Sequence, residues 1–339
     1  MKYYAGLDIS MEATSICIVD ADGTVVREGT VDSTPETIIA FLKNGEVTLD
    51  RIGLEACPLS EWIFDGLAEQ GCPVVCLETR HLKALLKSGI NKTDRDDARG
   101  IAQVVRVNLF KPVHVKTRIA RRYRALLSAR RLVVAEVCRM ENHLRGTLKA
   151  FGLKVGSTTR RTFDGRVRGL VIGEPGLELV ADVLLDVRRW LLARLDDLDR
   201  RVLRIVRNDP VCRRLMTAPG IGPVTALTYR TAMDAPARFM KSRTVGAYFG
   251  LTPRRYQSGE IDHSGRISKV GDGTVRAALY EAATVLLRRN TRPSALKSWG
   301  LAIYKRRGRR KSVVAVVRKL AVILHRLWTG NETFRWSAA

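Results

Sequence analysis

The chain has 339 residues, 45% of them hydrophobic, which is enough for at least one large core, and its formal net charge is +25. Such a charge favours a polyanionic partner. The first 115 residues hold 12 basic and 17 acidic side chains, so the remainder carries a net charge of +30. The sequence has neither an apolar run of membrane-spanning length nor the apolar segment of a signal peptide near Met1. We therefore expect a cytoplasmic protein.

Residues 1–115 alternate β-rich segments with helical ones. A turn at Ala21–Gly23 separates two strands, a capping box at Ser33–Glu36 begins a helix, and Thr93 can cap another. Three strands in hairpin order followed by alternating helices and strands predict an α/β domain with a mixed sheet. The predicted strands are Tyr3–Ile9, Thr14–Val19, Val25–Val31, Arg51–Leu54 and Pro73–Leu77, and the predicted helices run from Pro35 to about Asn44, Ser60–Gln70, Arg80–Ser88 and Asp94 to about Val107.

From about Thr117 the sequence becomes helical. Apolar residues recur at helical spacing over Ala120–Phe151 and Leu177–Asn208, and a basic, glycine-rich stretch, Gly152–Gly176, joins the two runs. We expect residues 116–208 to form two antiparallel helices, either as a coiled coil for oligomerisation or as an ordinary helical subdomain. The joining stretch suggests no role.

Residues 209–339 predict a mostly α domain. Its helical pattern has one glycine-rich interruption, Gly250–Gly273, which looks like a flexible phosphate-binding loop. The last helix is predicted over Ser312–Trp328, directly after the basic run Lys305–Lys311.

Four carboxylates stand where an active site could form. Asp8 and Glu55 each end an apolar strand, and carboxyl ends of strands are where α/β active sites lie. Asp94 and Asp97 are three apart at the start of a helix and share one face, whereas Asp96 falls off that face. Four converging carboxylates repel one another unless cations lie between them, and oxygen ligands suit Mg²⁺ or Mn²⁺. Two such ions could assist a phosphodiester displacement, although each residue alone could be a simple cap.

The segment Met216–Ala226 contains a Gly-x-Gly turn between two helices, which is typical of a helix-hairpin-helix. Backbone N–H groups at Gly220 and Gly222 could then approach a phosphate, and a plain helix–helix turn is the alternative.

Three serines lie among basic residues in the glycine-rich interruption. Ser258, Ser264 and Ser268 could each donate a hydrogen bond to phosphate or act as an activated nucleophile, and the residues alone do not choose among them. The side chains expected to contact nucleic acid here and in the basic run are Arg254, Arg255, Arg266, Lys269, Lys305, Arg306, Arg307, Arg309, Arg310 and Lys311.

The segments Gly6–Ile9, Leu54–Ala56 and Lys92–Ala98 resemble the RuvC-like domain of the DEDD transposases of the IS110 insertion-sequence family, which also includes Piv-type DNA invertases. The segment Arg254–Gly259 is similar to the serine motif of the same family's C-terminal transposase domain. The resemblance covers nearly the whole chain and implies an RNase H-like fold for the first domain.

The same resemblance implies an activity. It implies that Ser258 is a nucleophile that attacks DNA and forms a phosphoserine link, and that Asp8, Glu55, Asp94 and Asp97 hold Mg²⁺. It implies donor and target double-stranded DNA, a structured bridge RNA as guide, and a tetramer built as a dimer of dimers.

The alternative is a RuvC-like or RNase H-like nuclease or junction resolvase that uses water as its nucleophile. A sugar-kinase-like ATPase would need a second glycine-rich phosphate loop that the sequence lacks, and a non-enzymatic scaffold would not need the strand-end carboxylates.

Overall fold

The computed structural model describes residues 1–45, 47–87, 93–288 and 292–336. The chain divides into two compact units, Met1–Lys116 and Thr117–Ala339. Within the described residues, no helix is both long enough and apolar enough to cross a membrane.

The first unit contains the mixed five-stranded sheet that the sequence predicted. The strands lie in the order β3-β2-β1-β4-β5; β2 is antiparallel to β1 and β3, while β4 and β5 run parallel to β1. This order fits the expected RNase H-like domain. The strands are β1 (Tyr3–Ile9), β2 (Ala13–Val19), β3 (Val25–Asp32), β4 (Leu49–Glu55) and β5 (Val74–Leu77).

Helices cover both faces of this sheet. One face packs Leu7 and Leu54 against Ile38 and Ile63 of the first two helices, and the other face packs against the fourth helix. The helices are α1 (Pro35–Lys43), α2 (Ser60–Glu69), α3 (Thr79–Leu86) and α4 (Asp94–Arg106). All four were predicted, although the predicted end of α3, Ser88, lies outside the described residues.

Two long helices, α5 (Arg118–Ala150) and α7 (Pro175–Asn208), lie antiparallel in the second unit. Arg130 pairs with Asp199 at 2.5 Å, and Glu141, further along α5, pairs with Arg188, earlier in α7, at 2.6 Å. The antiparallel pair agrees with the prediction, whereas a coiled coil stays a prediction.

The stretch Gly152–Gly176, which suggested no role, contains a helix, α6 (Phe163–Val171). Its buried Phe163 and Val167 pack in one core cluster with Leu144 of α5 and Leu185 of α7. The stretch therefore covers the end of the helix pair.

The rest of the second unit surrounds a large core. That core also includes Leu127 of α5 and Val202 and Val206 of α7, so the chain near residue 208 does not separate two cores, and the domain boundary there stays a prediction. The elements are α8 (Pro210–Leu215), α9 (Pro223–Met233), short 3₁₀ turns at Pro236–Arg238 and Ser242–Thr244, α10 (Val245–Tyr248), β6 (Pro253–Ser258), β7 (Ile261–Ile267), α11 (Gly273–Leu286) and α12 (Ala295–Thr329).

One expectation for this region was wrong. The predicted flexible loop, Gly250–Gly273, contains an antiparallel hairpin of β6 and β7, because a two-residue turn with Gly259 at φ +56° reverses the chain after Ser258. The predicted last helix, Ser312–Trp328, lies within the second part of α12, which follows an interruption at Gly308, whose φ is 75° and ψ 167°, and the basic run lies on both sides of that glycine.

Candidate active site and nucleic-acid interface

Asp8, the penultimate residue of β1, and Glu55, the last residue of β4, lie at the same edge of the sheet. In the parallel pair of β1 and β4, Leu7 is opposite Leu54, so the residues that follow them stand side by side. Side chains alternate along a strand, so Asp8 shares a face with Gly6, and Glu55 shares that face with Gly53. Both carboxylates are partly buried.

Helix α4 packs on that same face because the two glycines leave room for it. A Cβ on Gly6 would lie 2.2 Å from the Ala98 carbonyl oxygen, and one on Gly53 would lie 2.5 Å from Val105. At Gly6 the opposing atoms belong to the helix backbone, and only glycine allows so close an approach, whereas at Gly53 the nearest atoms belong to side chains of the helix.

The direction of α4 brings its first turn to the carboxylate edge. Near its end, Gln103 and Arg106 donate to the carbonyl oxygens of Gly23 and Ala21, in the turn beside the start of β1. Its first turn, with Asp94 and Asp97, therefore lies towards the end of β1, where Asp8 stands. Asp94 and Asp97 also share a helix face with Ala98, which contacts β1.

The N-terminal turn of α4 is held in place by its cap and by Glu28 of β3. The Thr93 side chain accepts from the Asp96 amide at 3.1 Å and donates to its carboxylate at 2.7 Å, so Asp96 completes the cap. Glu28 binds Arg99 through both carboxylate oxygens and Arg95 at 2.6 Å. The Arg99 guanidinium lowers the pKa of Glu28 to about 2, despite its burial.

The donor set suits a hard divalent cation. Asp8, Glu55, Asp94 and Asp97 offer only carboxylate oxygens, the ligands of Mg²⁺ and Mn²⁺. In the part of the chain that the structure describes, no group of three or more His, Cys, Asp or Glu side chains is gathered closely enough to enclose a metal. Mg²⁺ does not require such an enclosure, because it commonly binds one or two carboxylates together with water and substrate phosphates.

Ser258 ends β6 at the tip of an exposed hairpin. All residues of β6 are exposed, and so are those of β7 up to Arg266. Ser258 is paired with Ile261, and Tyr256 with His263, so these side chains share one face. Ser264 is paired with Arg255 and lies on the opposite face.

The hairpin is fixed at its base. A Cβ on Gly250 would lie 2.0 Å from the Val270 carbonyl oxygen, and one on Gly271 would lie 2.2 Å from that of Tyr248. Lys269 donates its amide to Gly250 at 3.0 Å, in a backbone with φ +57°. The serine therefore stands on an exposed arm with a tightly packed base.

The basic side chains predicted to contact nucleic acid in the serine segment are all exposed, but they differ in their hydrogen-bond partners. Arg255 binds both carboxylate oxygens of Asp262, at 2.9 and 2.7 Å, and Arg254 donates to the Ser268 carbonyl at 3.3 Å. Arg266 and Lys269 are exposed. Arg254 and Arg255 lie in the strand that ends at Ser258, Arg266 lies in the partner strand, and Lys269 lies at the base of the hairpin. Their contact with nucleic acid stays a prediction.

The Gly-x-Gly turn joins α8 to α9, as expected, and the structure gives its first glycine a packing role. Gly220 has φ +79°, and a Cβ there would lie 2.3 Å from the Ala282 carbonyl oxygen of α11. A Cβ on Gly222 would meet nothing within 4 Å. Phosphate binding at this turn stays a prediction.

All six basic side chains of the run at 305–311 are exposed around the interruption of α12. The remaining members of the predicted interface are thus accessible to a polyanion. They are Lys305, Arg306, Arg307, Arg309, Arg310 and Lys311.

Comparison with known proteins assigns a family. Residues 212–298 match the model of the transposase IS116/IS110/IS902 family, and residues 5–152 match a DEDD transposase model of the IS110 type. The transposase for insertion sequence element IS1111A of Coxiella burnetii is 30% identical over 98% of this chain and 91% of that protein. The chain belongs to the IS110 family of transposases. This confirms the resemblance seen in the carboxylate and serine motifs.

Two further similarities extend over smaller parts of this IS110-family transposase. The pilin gene-inverting protein of Moraxella bovis is 26% identical over 44% of this chain and 47% of that protein. The structure of Thermus thermophilus RuvC aligns with 33% of this chain and 99% of its own, at 14% identity and a TM-score of 0.26.

Sequence reasoning missed the residues that position α4. Gly6 and Gly53 gave a usable signal, because a glycine inside a strand marks close approach of another backbone. Arg95 and Arg99, four apart on a helix, share a face, but nothing in the sequence identified Glu28, about 70 residues earlier, as their partner.

Proposed function

We propose that this IS110-family transposase cuts and rejoins DNA through Ser258, which becomes linked to a DNA phosphate. The observation that carries the proposal is the position of Ser258 at the exposed tip of a hairpin whose base is tightly packed. A serine held in this way has no packing role, and a phosphodiester can reach it from solvent. Arg254 and Arg266 supply positive charge on the same hairpin.

The proposed step exchanges one ester for another. The Ser258 hydroxyl oxygen attacks phosphorus, its proton leaves to water, and the bond from phosphorus to one deoxyribose oxygen breaks, so that this oxygen departs and takes up a proton. A strand-end hydroxyl from the second DNA then attacks the phosphorus of the phosphoserine and loses its proton to water, the bond from phosphorus to the serine oxygen breaks, and that oxygen takes up a proton. Each step replaces one phosphate ester bond by another, so the exchange needs no energy-supplying cofactor.

The carboxylates complete the proposed chemistry. Asp8, Glu55, Asp94 and Asp97 would hold Mg²⁺ or Mn²⁺, which when bound neutralises charge on the reacting phosphate. Glu28 and the glycines Gly6 and Gly53 act indirectly, because they fix the helix that carries two of the four carboxylates.

We also propose that double-stranded donor and target DNA are selected by a structured guide RNA. Residues 116–339 carry a net charge of +30, which supports binding of more than one nucleic acid, and the affinity should fall steeply as the salt concentration rises. Guide pairing would supply sequence selection, as it does in other RNA-guided enzymes.

A dimer of dimers is proposed for the assembly. Large apolar side chains recur three and four residues apart along α7 and are exposed in the single chain, which supports burial against another copy. They are Leu179, Val183, Val187 and Trp190.

Recombination between donor and target plasmids tests the proposal, with and without RNA transcribed from the flank of the element. We expect recombinants only when RNA and Mg²⁺ are present, and none with Ser258→Ala or Asp8→Asn. Ser264→Ala is the matched control, because Ser264 lies on the other face of the same hairpin, and it should retain activity. Full activity of Ser258→Ala would refute the nucleophile, and cleavage without strand exchange by that variant would favour a water-using nuclease.

A further inference from the structure

Helix α12 folds back on itself at Gly308. The Ser312 hydroxyl donates to the Gly300 carbonyl at 2.6 Å, although twelve residues of straight helix would separate them by about 18 Å. The Gly308 backbone, at φ 75° and ψ 167°, lies in a region that is nearly exclusive to glycine. Gly308 therefore marks the tip of a helical hairpin with arms on either side.

The tip is a concentrated positive surface. Six of the seven residues at positions 305–311 are Lys or Arg, all six are exposed, and the seventh is Gly308 itself. This arrangement suits adjacent phosphates of a nucleic-acid backbone.

A cavity of about 380 Å³ opens beside the tip, between α11 and the two arms of α12, a size within the usual range of small-molecule sites. Leu287 and Val313 line it on the inside, and Arg309 of the tip forms part of its wall. Tyr304 and Leu301 also line it while remaining 46% and 37% exposed. Apolar surface is thus open to solvent at the edge of a strongly basic surface.

We propose that this cavity binds an unpaired nucleobase, stacked on Tyr304, while the tip binds the phosphates on either side of it. The charge identifies a polyanion, and the open aromatic ring distinguishes a base from a phosphate alone. Bases inside a duplex are stacked on one another and cannot reach such a ring, whereas unpaired bases commonly stack on aromatic and arginine side chains. The inference rests on the proposed function only in taking nucleic acid as the partner.

Oligonucleotides that carry one 2-aminopurine test the site with the full chain. Single-stranded DNA, single-stranded RNA and a paired duplex of the same sequence are titrated with the wild type, Tyr304→Leu, Tyr304→Phe and Tyr280→Leu. Tyr280 is the matched control, because it is a 43% exposed tyrosine of α11 that does not line the cavity.

We expect binding to quench the single-stranded probe. Tyr304→Leu should abolish the quenching and weaken single-strand binding at least about fivefold, while duplex binding stays unchanged. Tyr304→Phe and Tyr280→Leu should behave as the wild type. Comparison of the DNA and RNA probes identifies which strand supplies the base.

The salt dependence of the binding constant distinguishes a contribution from base stacking from a contribution from charge. Tyr304→Leu should leave the slope of log K against log[salt] unchanged, whereas Arg310→Gln should make it shallower by about 0.7 for single strands.

The proposal is overturned if Tyr304→Leu matches Tyr280→Leu, or if it weakens single-strand and duplex binding equally. All measurements can be repeated in a Ser258→Ala background. A failure of the serine chemistry would leave these results intact, so the two proposals can fail separately.

Discussion

Replacement of Gly6 by alanine should displace the helix that carries two of the four carboxylates. The added Cβ would lie 2.2 Å from the Ala98 carbonyl oxygen and 2.4 Å from the Ala102 amide nitrogen, and both are backbone atoms. Ordinary contact begins near 3.4 Å, so α4 would have to retreat from β1 by more than about 1 Å. Asp97 precedes Ala98 directly and would move with it.

The displacement should affect folding stability a little and the recombination rate strongly. Overpacking of this kind costs about 1–3 kcal/mol of folding free energy, and a shift of about 1 Å in catalytic groups can lower a rate by about 100-fold. We therefore expect Gly6→Ala to remain largely folded while its recombination rate falls about 100-fold. Nucleic-acid binding by the second unit should be unchanged.

The assay combines urea unfolding, plasmid recombination and DNA binding on the same preparations. Gly146→Ala is the control, because Gly146 lies in α5 where an added Cβ meets nothing within 4 Å, and alanine there should keep full activity. If Gly6→Ala recombines as fast as the wild type and is equally stable, the packing of α4 on β1 at Gly6 does not determine the position of the carboxylates.

Three further substitutions test other parts of the structure. The pKa of Glu28 is lowered from 4.5 to about 2, so its contribution to stability is complete above pH 4.5 and is lost as the pH falls towards 2. In Glu28→Gln the free energy of unfolding should therefore change less between pH 4.5 and pH 2 than in the wild type. An identical acid unfolding curve would contradict the contact with Arg99. Arg188 is 1% exposed and pairs with Glu141, so Arg188→Met should lower the free energy of unfolding in urea by about 3 kcal/mol. The neighbouring Arg189 is exposed, and Arg189→Met should lower it by less than about 1 kcal/mol. Equal losses would show that the buried ion pair contributes no more than the exposed one. Gly308→Ala should cost about 1–3 kcal/mol although space is open around it, and no loss of thermal stability would show that the tip does not require this backbone.

The sheet and its carboxylate edge could be predicted because local patterns determine them. Apolar strands end at Asp8 and Glu55, and Thr93 caps α4, so the order of elements and the edge they share follow from short segments. The register of the parallel strands could not be predicted from the sequence. It pairs Leu7 with Leu54, and the carboxylates of Asp8 and Glu55 are therefore neighbours.

The hairpin that carries Ser258 could not be predicted in the same way. Its residues are all exposed up to Arg266, so its strands lack the apolar alternation that identifies a half-buried strand. Its glycines suggested a flexible loop, whereas Gly250 and Gly271 permit tight packing at the base. The residues alone do not distinguish Ser258 from Ser264 and Ser268, and only the family resemblance identifies Ser258 as the nucleophile.

The helical hairpin of α12 could not be predicted from the sequence either. A single glycine within a run of cations gives no periodic signal, and the fold-back depends on contacts such as Ser312 with Gly300. The pairing of Glu28 with Arg95 and Arg99 is likewise set by distant packing rather than by local sequence.

The covalent intermediate is the most direct test of the central claim. The full chain is incubated with labelled donor and target DNA, guide RNA and Mg²⁺, denatured, and separated from unbound DNA, and the attached peptide is sequenced by mass spectrometry. We expect a denaturation-resistant adduct in which a DNA phosphate is joined to Ser258, present in Ser264→Ala and absent in Ser258→Ala. Strand exchange without any such adduct, or an adduct on another residue, would contradict it.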